Sequence, residues 1–443
     1  MSCGALFTDH YELTMSAAYL AEGRTGEAVF ELFFRKLPPT RSYAVAAGIE
    51  DALDFLERFR FRSEEVDWLR SRGIFDEGFL ERLHGIRFTG DVQALPEGTI
   101  VFENEPILQV VAPIVEAQLV ETFLINQIHM QTVIASKAAR VVEAAQGRTV
   151  IDFGCRRAHG LDAGLHLARC SYLVGATGTS LLEAGMRYGI PTFGTMAHSY
   201  IQAHDDESRA FEVFAGIFPG TTILVDTYDT LEGVRKVVEL LRKPACAEHV
   251  QAIRIDSGDL AESARAARAI LDEAGCGHVR IFVSSDLDEF AVARLVASGA
   301  PVDGFGVGTR MATSADAPTL DVAYKLVAYD GRGRTKLSSS KVIHPGRKQV
   351  FRQAEGAVLR RDVIGRHDEA IEGEPLLVPM MRGGRRLAPR EPLATARERA
   401  ARGRRSLPPA LRAVETKAHH PVSFSAGLEA DLEAVRAALV RRH

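Results

Sequence analysis

The chain has 443 residues, 46% hydrophobic and 25% charged, which is too long for one ordinary domain and enough for two sizeable cores. Lys plus Arg total 54 against 58 Asp plus Glu, a net charge of −4 that excludes a general attraction to nucleic acid or an anionic membrane. No apolar run reaches the roughly 20 residues that a membrane span needs, and the first residues lack a signal-peptide layout. Five cysteines (Cys3, Cys155, Cys170, Cys246, Cys276) without a CxxC pair read as free thiols, so a cytoplasmic protein is expected.

In chain order, residues 1–130 read as a mixed α+β domain. Helical spacing covers 8–21, where Thr8 or Asp9 can cap, and 27–34 is strand-like. Surface helices are expected over 51–58 and 64–71, followed by short β runs between 88 and 111 broken by Gly90, Pro96, Gly98 and Pro106. The pattern then changes. Short apolar runs at 149–153, 171–175, 191–195, 222–226, 252–256, 279–284 and 302–307 alternate with helical stretches such as 229–241, 260–274 and 286–297. These make about seven βα units, and 323–329 can supply an eighth strand of a parallel barrel. The barrel is expected over 131–344, with about 345–443 completing the first domain; a doubly wound open sheet is the alternative. The arginine-crowded stretch 381–405 reads either as a phosphate or nucleic-acid patch or as a solvated, partly helical linker, with the linker favoured.

Almost every expected barrel strand ends in polar residues: Asp152 to Arg157, Gly194 to Ser199, Asp226-Thr227, Arg254 to Asp259, Ser284 to Asp286 and Gly306 to Arg310. In a parallel barrel these ends share one face, where active sites form. Ser257-Gly258-Asp259 and Gly306-Val307-Gly308-Thr309 suit phosphate, since exposed backbone N–H groups there can point at an anion. Asp226, Asp256 and Asp286 can hold Mg2+ alongside substrate phosphates, or cap helices, the expected role for Asp286. His198 is a core histidine or a titrating, nucleophilic one. No expected strand ends in lysine, which argues against a Schiff-base aldolase.

The runs TDHYELTM, FELFFRKLP, INQIHMQTVIASKAAR, DFGCRRAHGLDAG, ATGTSLLEAGMRYGIPTFGTMAHS, LVDTYDT, IRIDSGDL, GFGVGTR and YKLVAYDGRGRTKLSSSK resemble nicotinate phosphoribosyltransferase motifs in order and spacing. The resemblance covers about residues 6–352. It implies an irregular α/β barrel of the type II phosphoribosyltransferase fold, joined to a smaller α+β domain from both chain ends, in a homodimer with shared active sites. It implies nicotinate, phosphoribosyl pyrophosphate and ATP as substrates, with Mg2+, and neither nucleic acid nor membrane as partner. By motif, His198 resembles the histidine that ATP phosphorylates, within a catalytic set with Arg254 and Asp256. Tyr11 and Phe153 resemble the aromatic faces around the pyridine ring. Arg254, Thr195 and Ser180 resemble the groups around its carboxylate. Arg156, Gly308 and Thr309 resemble donor contacts, and Arg35 one supplied from the partner subunit. Nicotinamide-using relatives carry an acid at the Ser180 position, so nicotinic acid is expected here. His10, Cys155 and Leu181 depart from the usual motif wording.

Overall fold

The computed structural model describes residues 4–246, 248–337 and 342–441. Cys3 and the 338–341 end of the last motif lie outside them. The chain divides into two compact units, Ile134–Pro318 and Met1–Val133 with Thr319–His443.

The middle unit carries six parallel strands: β1 (Thr149–Asp152), β2 (Gly178–Thr179), β3 (Thr221–Leu224), β4 (Val250–Ile255), β5 (Arg280–Ser284) and β6 (Gly304–Val307), in the order β2-β1-β6-β5-β4-β3. The last strand pairs with the first, Gly304 opposite Thr149 and Val307 opposite Asp152. The winding therefore runs in one direction, as in a barrel, and not outward from a switch point as in a doubly wound sheet. The break in the ladder falls between β2 and β3. There the extended stretch 191–195 makes a single bridge, Thr192 to Thr179, and the Thr195 hydroxyl donates to the Thr222 carbonyl of β3.

The outer helices follow from their patterning. In Thr230–Leu241 the buried Val234, Val237, Val238 and Leu241 recur at helical spacing, and the Asp229 carboxylate caps its start by accepting from the Glu232 N–H. Leu260–Glu273 buries Ala264, Ala267 and Leu271 beneath an Asp259 cap and packs against it.

Three expected strands are corrected, the first being 191–195, which makes one bridge and no strand. Residues 171–175 fall at the end of the helix Leu161–Leu173, whose Leu165, Ala168 and Leu173 are buried; a five-residue apolar run fits a buried helix as well as a strand. Val322–Tyr329 is a strand, but it pairs antiparallel with Glu27–Phe34 in the other unit, so it does not close the barrel.

That other unit is built from both chain ends around an antiparallel sheet of seven strands. Glu27–Phe34 lies between Val322–Tyr329 and Pro106–Pro113, and Asp91–Ala94 pairs with Val378–Arg382. After Glu27 every side chain of Glu27–Phe34 is buried, and the Phe30 ring stacks on Tyr324 at 4.8 Å. A four-stranded sheet (Glu374–Pro375, Lys348–Glu355, Val358–Arg366, Val422–Phe424) adds a second layer of pairing. The arginine-rich stretch is mostly committed here. Arg386 pairs with Glu50 and Asp54, Arg390 with Asp51 and Asp54, and Arg399 with Glu391. Its second half is the helix Leu393–Ser406. Among the described residues no helix is long and apolar enough to cross a membrane.

Candidate active site

A cavity of about 370 Å3 runs along the inside of the curled sheet, from strand starts at Thr149, Thr221 and Arg280 to Phe153, Arg254 and Gly306 near the carboxyl ends, with Phe193, Thr195 and Phe282 also in its wall. Its size is that of a small-molecule site. Three phenyl rings and two guanidiniums, those of Arg254 and Arg280, set its character. Arg254, on β4, holds its guanidinium carbon 5.9 Å from the Phe153 ring centre, and its Nη2 donates to the Met196 carbonyl at 3.2 Å. Its Nε is buried without a hydrogen-bond partner. Burial lowers the Arg254 pKa, against the pull of Asp256 and Asp226. The group is still a cation, since a guanidinium keeps its proton at any ordinary pH. A buried cation beside an aromatic face, with a donor to spare, is built for a flat aromatic anion.

Gly306 makes room for this. A Cβ there would stand 2.5 Å from the Phe153 ring, so any larger residue displaces the phenyl group. The Phe153 backbone is pinned by donation of its N–H to the Val307 carbonyl at 2.9 Å. Asp152, fully buried, accepts from the Gly154 N–H and the Thr179 hydroxyl, tying β1 to β2. Burial pushes its carboxyl up to about 6. Ser180 leaves β2 with its N–H donating to the Asp152 carbonyl, and its side chain is exposed.

His198 starts the short helix His198–Gln202. Its Nδ1 lies 3.1 Å from the Thr227 hydroxyl and its Nε2 lies 3.9 Å from an Asp256 carboxylate oxygen. The carboxylates behind it are braced. Asp226 Oδ2 accepts from the Asp256 N–H at 2.8 Å and from the Ser257 hydroxyl at 2.7 Å, while Asp256 accepts from Ser284. Ser285, next in line, has φ of 146°, a strained value for a residue with a side chain. Gly258 sits at φ 77° in the turn before the Asp259 cap, a conformation that suits glycine.

On the far side of the cluster, Gly308 precedes the short helix Thr309–Ala312, which packs against the turn Cys155–Arg157 that carries Arg156. Thr309 and Arg156 are both exposed. Arg310 is held by Asp286, and the cap of the helix Glu289–Ala297 is Asp288, whose carboxylate accepts from the Ala291 N–H. The capping role expected of Asp286 therefore belongs to its neighbour two residues on, because the helix begins later than 286.

The family models now fall on the same elements. The nicotinate phosphoribosyltransferase N-terminal domain matches residues 6–129, and the nicotinate phosphoribosyltransferase family model matches 149–343. A nicotinate phosphoribosyltransferase of Mycobacterium tuberculosis is 57% identical over 98% of this chain and 94% of its own length. The chain belongs to the nicotinate phosphoribosyltransferase family. The family's enzyme from Bacillus subtilis is 41% identical over 84% of the chain and 78% of its own. The crystal structure of human nicotinic acid phosphoribosyltransferase superposes with a TM-score of 0.83 at 29% identity, covering 97% of this chain and 99% of that one. A nicotinate-nucleotide pyrophosphorylase from Pyrococcus furiosus gives 0.76 at 25% identity, with 91% and 95% covered. The curled parallel sheet is thus the type II phosphoribosyltransferase half-barrel, and the chain is an enzyme of this family, in pyridine-nucleotide salvage.

Of the residues singled out by motif, Phe153, Arg156, Ser180, Arg254, Asp256, Gly308 and Thr309 lie in the middle unit at or just beyond strand ends, while Thr195 and His198 lie there in and after the extended stretch 191–195. Tyr11 and Arg35 lie in the other unit. Tyr11 is an exposed residue of the helix His10–Ala21, its phenol pushed up by burial and by Glu121, Glu12 and Asp9. The Arg35 guanidinium is paired with Asp321 at 3.0 Å. Three nicotinate phosphoribosyltransferase positions escaped the motif reading. Phe193 lines the cavity, Thr227 contacts His198 and Ser284 holds Asp256. Phe193 and Thr227 stand in motif runs and Ser284 in a strand-end cluster, and only their neighbours in space reveal their use.

Asp226 and Asp256 present oxygen donors on neighbouring strand ends, and Asp226 Oδ1 is buried without a partner. That fits Mg2+, which takes one or two carboxylates and completes its shell from water and substrate phosphates. Among the described residues no group of three or more His, Cys, Asp or Glu is arranged as a ready-made metal cage.

Proposed function

We propose that this chain makes nicotinate mononucleotide from nicotinate and 5-phosphoribosyl 1-pyrophosphate, releasing pyrophosphate, and that ATP drives the reaction through transient phosphorylation of His198. The observation that carries the reading is the juxtaposition of Arg254 with the Phe153 ring at the wall of the cavity. A pyridine carboxylate laid on Phe153 places its anion on Arg254, with the Ser180 hydroxyl as a donor and Thr195, whose hydroxyl is committed to the Thr222 carbonyl, lining the wall beside it. The second aromatic face is assigned to Tyr11 by the motif resemblance alone.

The pyridine nitrogen attacks C1′ of the donor. The new N–C bond forms as the C1′–O bond to pyrophosphate breaks, and the electron pair leaves with that oxygen. No base is needed, so the protein's work is to hold ring and sugar in line. Arg156 and the backbone at Gly308 and Thr309 bind donor phosphates, and Arg35 adds a cation from a partner subunit. Asp226 and Asp256 would hold Mg2+, which would supply positive charge to offset that of the departing pyrophosphate. His198, with Thr227 at Nδ1 and Asp256 beside Nε2, is oriented to accept the γ-phosphoryl group of ATP and lose it later to water. Exposed Leu161, Leu182 and Met186, on helices that pack together, offer apolar surface to a homodimer. Free Cys155, Cys170, Cys246 and Cys276 suit the cytoplasm.

Incubation with nicotinate, phosphoribosyl pyrophosphate and Mg2+, with and without ATP and with nicotinamide in parallel, tests this directly. Nicotinate mononucleotide formed faster with ATP is the expected result. Product from nicotinamide in preference to nicotinate, or no effect of ATP, overturns the corresponding half of the reading.

A further inference from the structure

A second groove is far from any strand end of the half-barrel in sequence. It encloses about 620 Å3 and lies wholly within the unit built from the chain ends. Its floor is apolar, from Ile100, Leu359 and Leu376. Its walls carry Arg352, Arg399, Arg402 and Arg405, against one lining carboxylate, Glu374.

These arginines differ in how they are spent. Arg399 donates to Glu391 and to the Glu97 carbonyl. Arg352 is nine-tenths buried, and its Nε and Nη2 donate to Asp362, with Glu105 3.6 Å from Nη2; its Nη1 makes no hydrogen bond among the described residues. Arg402 and Arg405 are exposed on the helix Leu393–Ser406 and pair with no carboxylate among the described residues. The contrast lies within one stretch of chain. Arg386 and Arg390 each meet two carboxylates, whereas three turns later two guanidiniums line a concave, apolar-floored groove and, among the described residues, pair with none. Cations in the last turn of a helix complement its dipole, which accounts for Arg405 but not for a groove that gathers Arg352 as well.

We propose that this groove binds a nucleoside 5′-phosphate, with the phosphate on Arg402 and Arg405, the free edge of Arg352 beside it, and the base on the Ile100, Leu359 and Leu376 floor. Guanidinium groups take phosphate oxygens in pairs, and the groove volume falls in the roughly 300–1,000 Å3 range of small-molecule sites. A purely inorganic anion has no use for the apolar floor, and an uncharged nucleoside has none for the arginines.

The test is photolabelling of the full-length protein with 8-azidoadenosine 5′-monophosphate, with phosphoribosyl pyrophosphate in excess to occupy the half-barrel. Label is expected on peptides within 348–378 or 393–406, displaced by adenosine 5′-monophosphate and not by adenosine or equimolar inorganic phosphate. The double variant Arg402→Ala/Arg405→Ala should lose at least tenfold of that label while keeping the parent melting temperature and half-barrel activity. The exposed control Arg242→Ala should keep the label. Label confined to peptides of the half-barrel, equal labelling of the double variant, or equal displacement by adenosine or phosphate alone would each overturn the proposal. Because the readout is the labelled peptide and not turnover, it stands or falls apart from the catalytic reading.

Discussion

Ser180 is placed by its backbone: the N–H donates to the Asp152 carbonyl, so its side chain projects from a fixed point at the end of β2. An acid at this point repels a substrate carboxylate and accepts from an amide. Ser180→Asp should therefore lower kcat/KM for nicotinate by about 10- to 100-fold, the scale of one mismatched buried polar pair, and raise it for nicotinamide. Steady-state kinetics on both bases decides it, and unchanged preference would remove Ser180 from the specificity set. Thr227 acts on His198 alone, through the 3.1 Å contact at Nδ1. Thr227→Val should cut ATP stimulation roughly tenfold and shift the pH profile of the ATP-dependent step, while Thr227→Ser restores both, since a hydroxyl is all that position supplies. At this scale the strand-end clusters were legible in the sequence because strand ends in a parallel barrel share a face. Phe193 was not, because its role depends on a cavity formed by residues from several other strands.

Elements show the same division between local and distant causes. Caps such as Asp229 and Asp259 are local, and both precede helices whose apolar spacing announces them. Asp288 is the true cap of Glu289–Ala297, and Asp288→Ala should cost about 1 kcal/mol, read as a lower melting temperature with KM for nicotinate unchanged. A larger consequence is expected at β6. Gly306→Ala puts a methyl group 2.5 Å from the Phe153 ring, and the ring must yield. Overpacking of this kind costs about 1–3 kcal/mol. The KM for nicotinate should rise severalfold, and an unchanged KM would show that Phe153 does not face the substrate. What the sequence concealed were pairings. The apolar run at 171–175 ends a helix, and 322–329 is a genuine strand whose partner lies near the beginning of the chain. Neither choice is encoded within the run itself.

Across the whole molecule, each unit carries a buried carboxyl that resists ionisation. Burial raises Asp152 to about 6 in the middle unit and Glu12 to about 7 in the other. Glu12 is fully enclosed and accepts from Thr8 and Thr122. Below the ordinary carboxyl range both folded and unfolded chains hold the proton. As pH rises through about 7 the folded protein must release a proton that the unfolded chain has already lost, so stability falls over that interval. Glu12→Gln should remove this loss and be the more stable protein at pH 8 but not at pH 5, measured by urea denaturation. Equal pH dependence in both would show that Glu12 ionises normally.

The pairing of chain ends also bears on synthesis. Glu27–Phe34 and Asp91–Ala94 can both pair early with Pro106–Pro113, but the other edge of the first is covered only when 322–329 has been made, and that of the second waits for 378–382. On the ribosome the earliest strands therefore remain open-edged for most of translation, while the half-barrel can close once β6 emerges to meet β1. A chain arrested shortly after 318 would carry a finished middle unit beside bare, apolar strand edges, the form most prone to stick to its own kind.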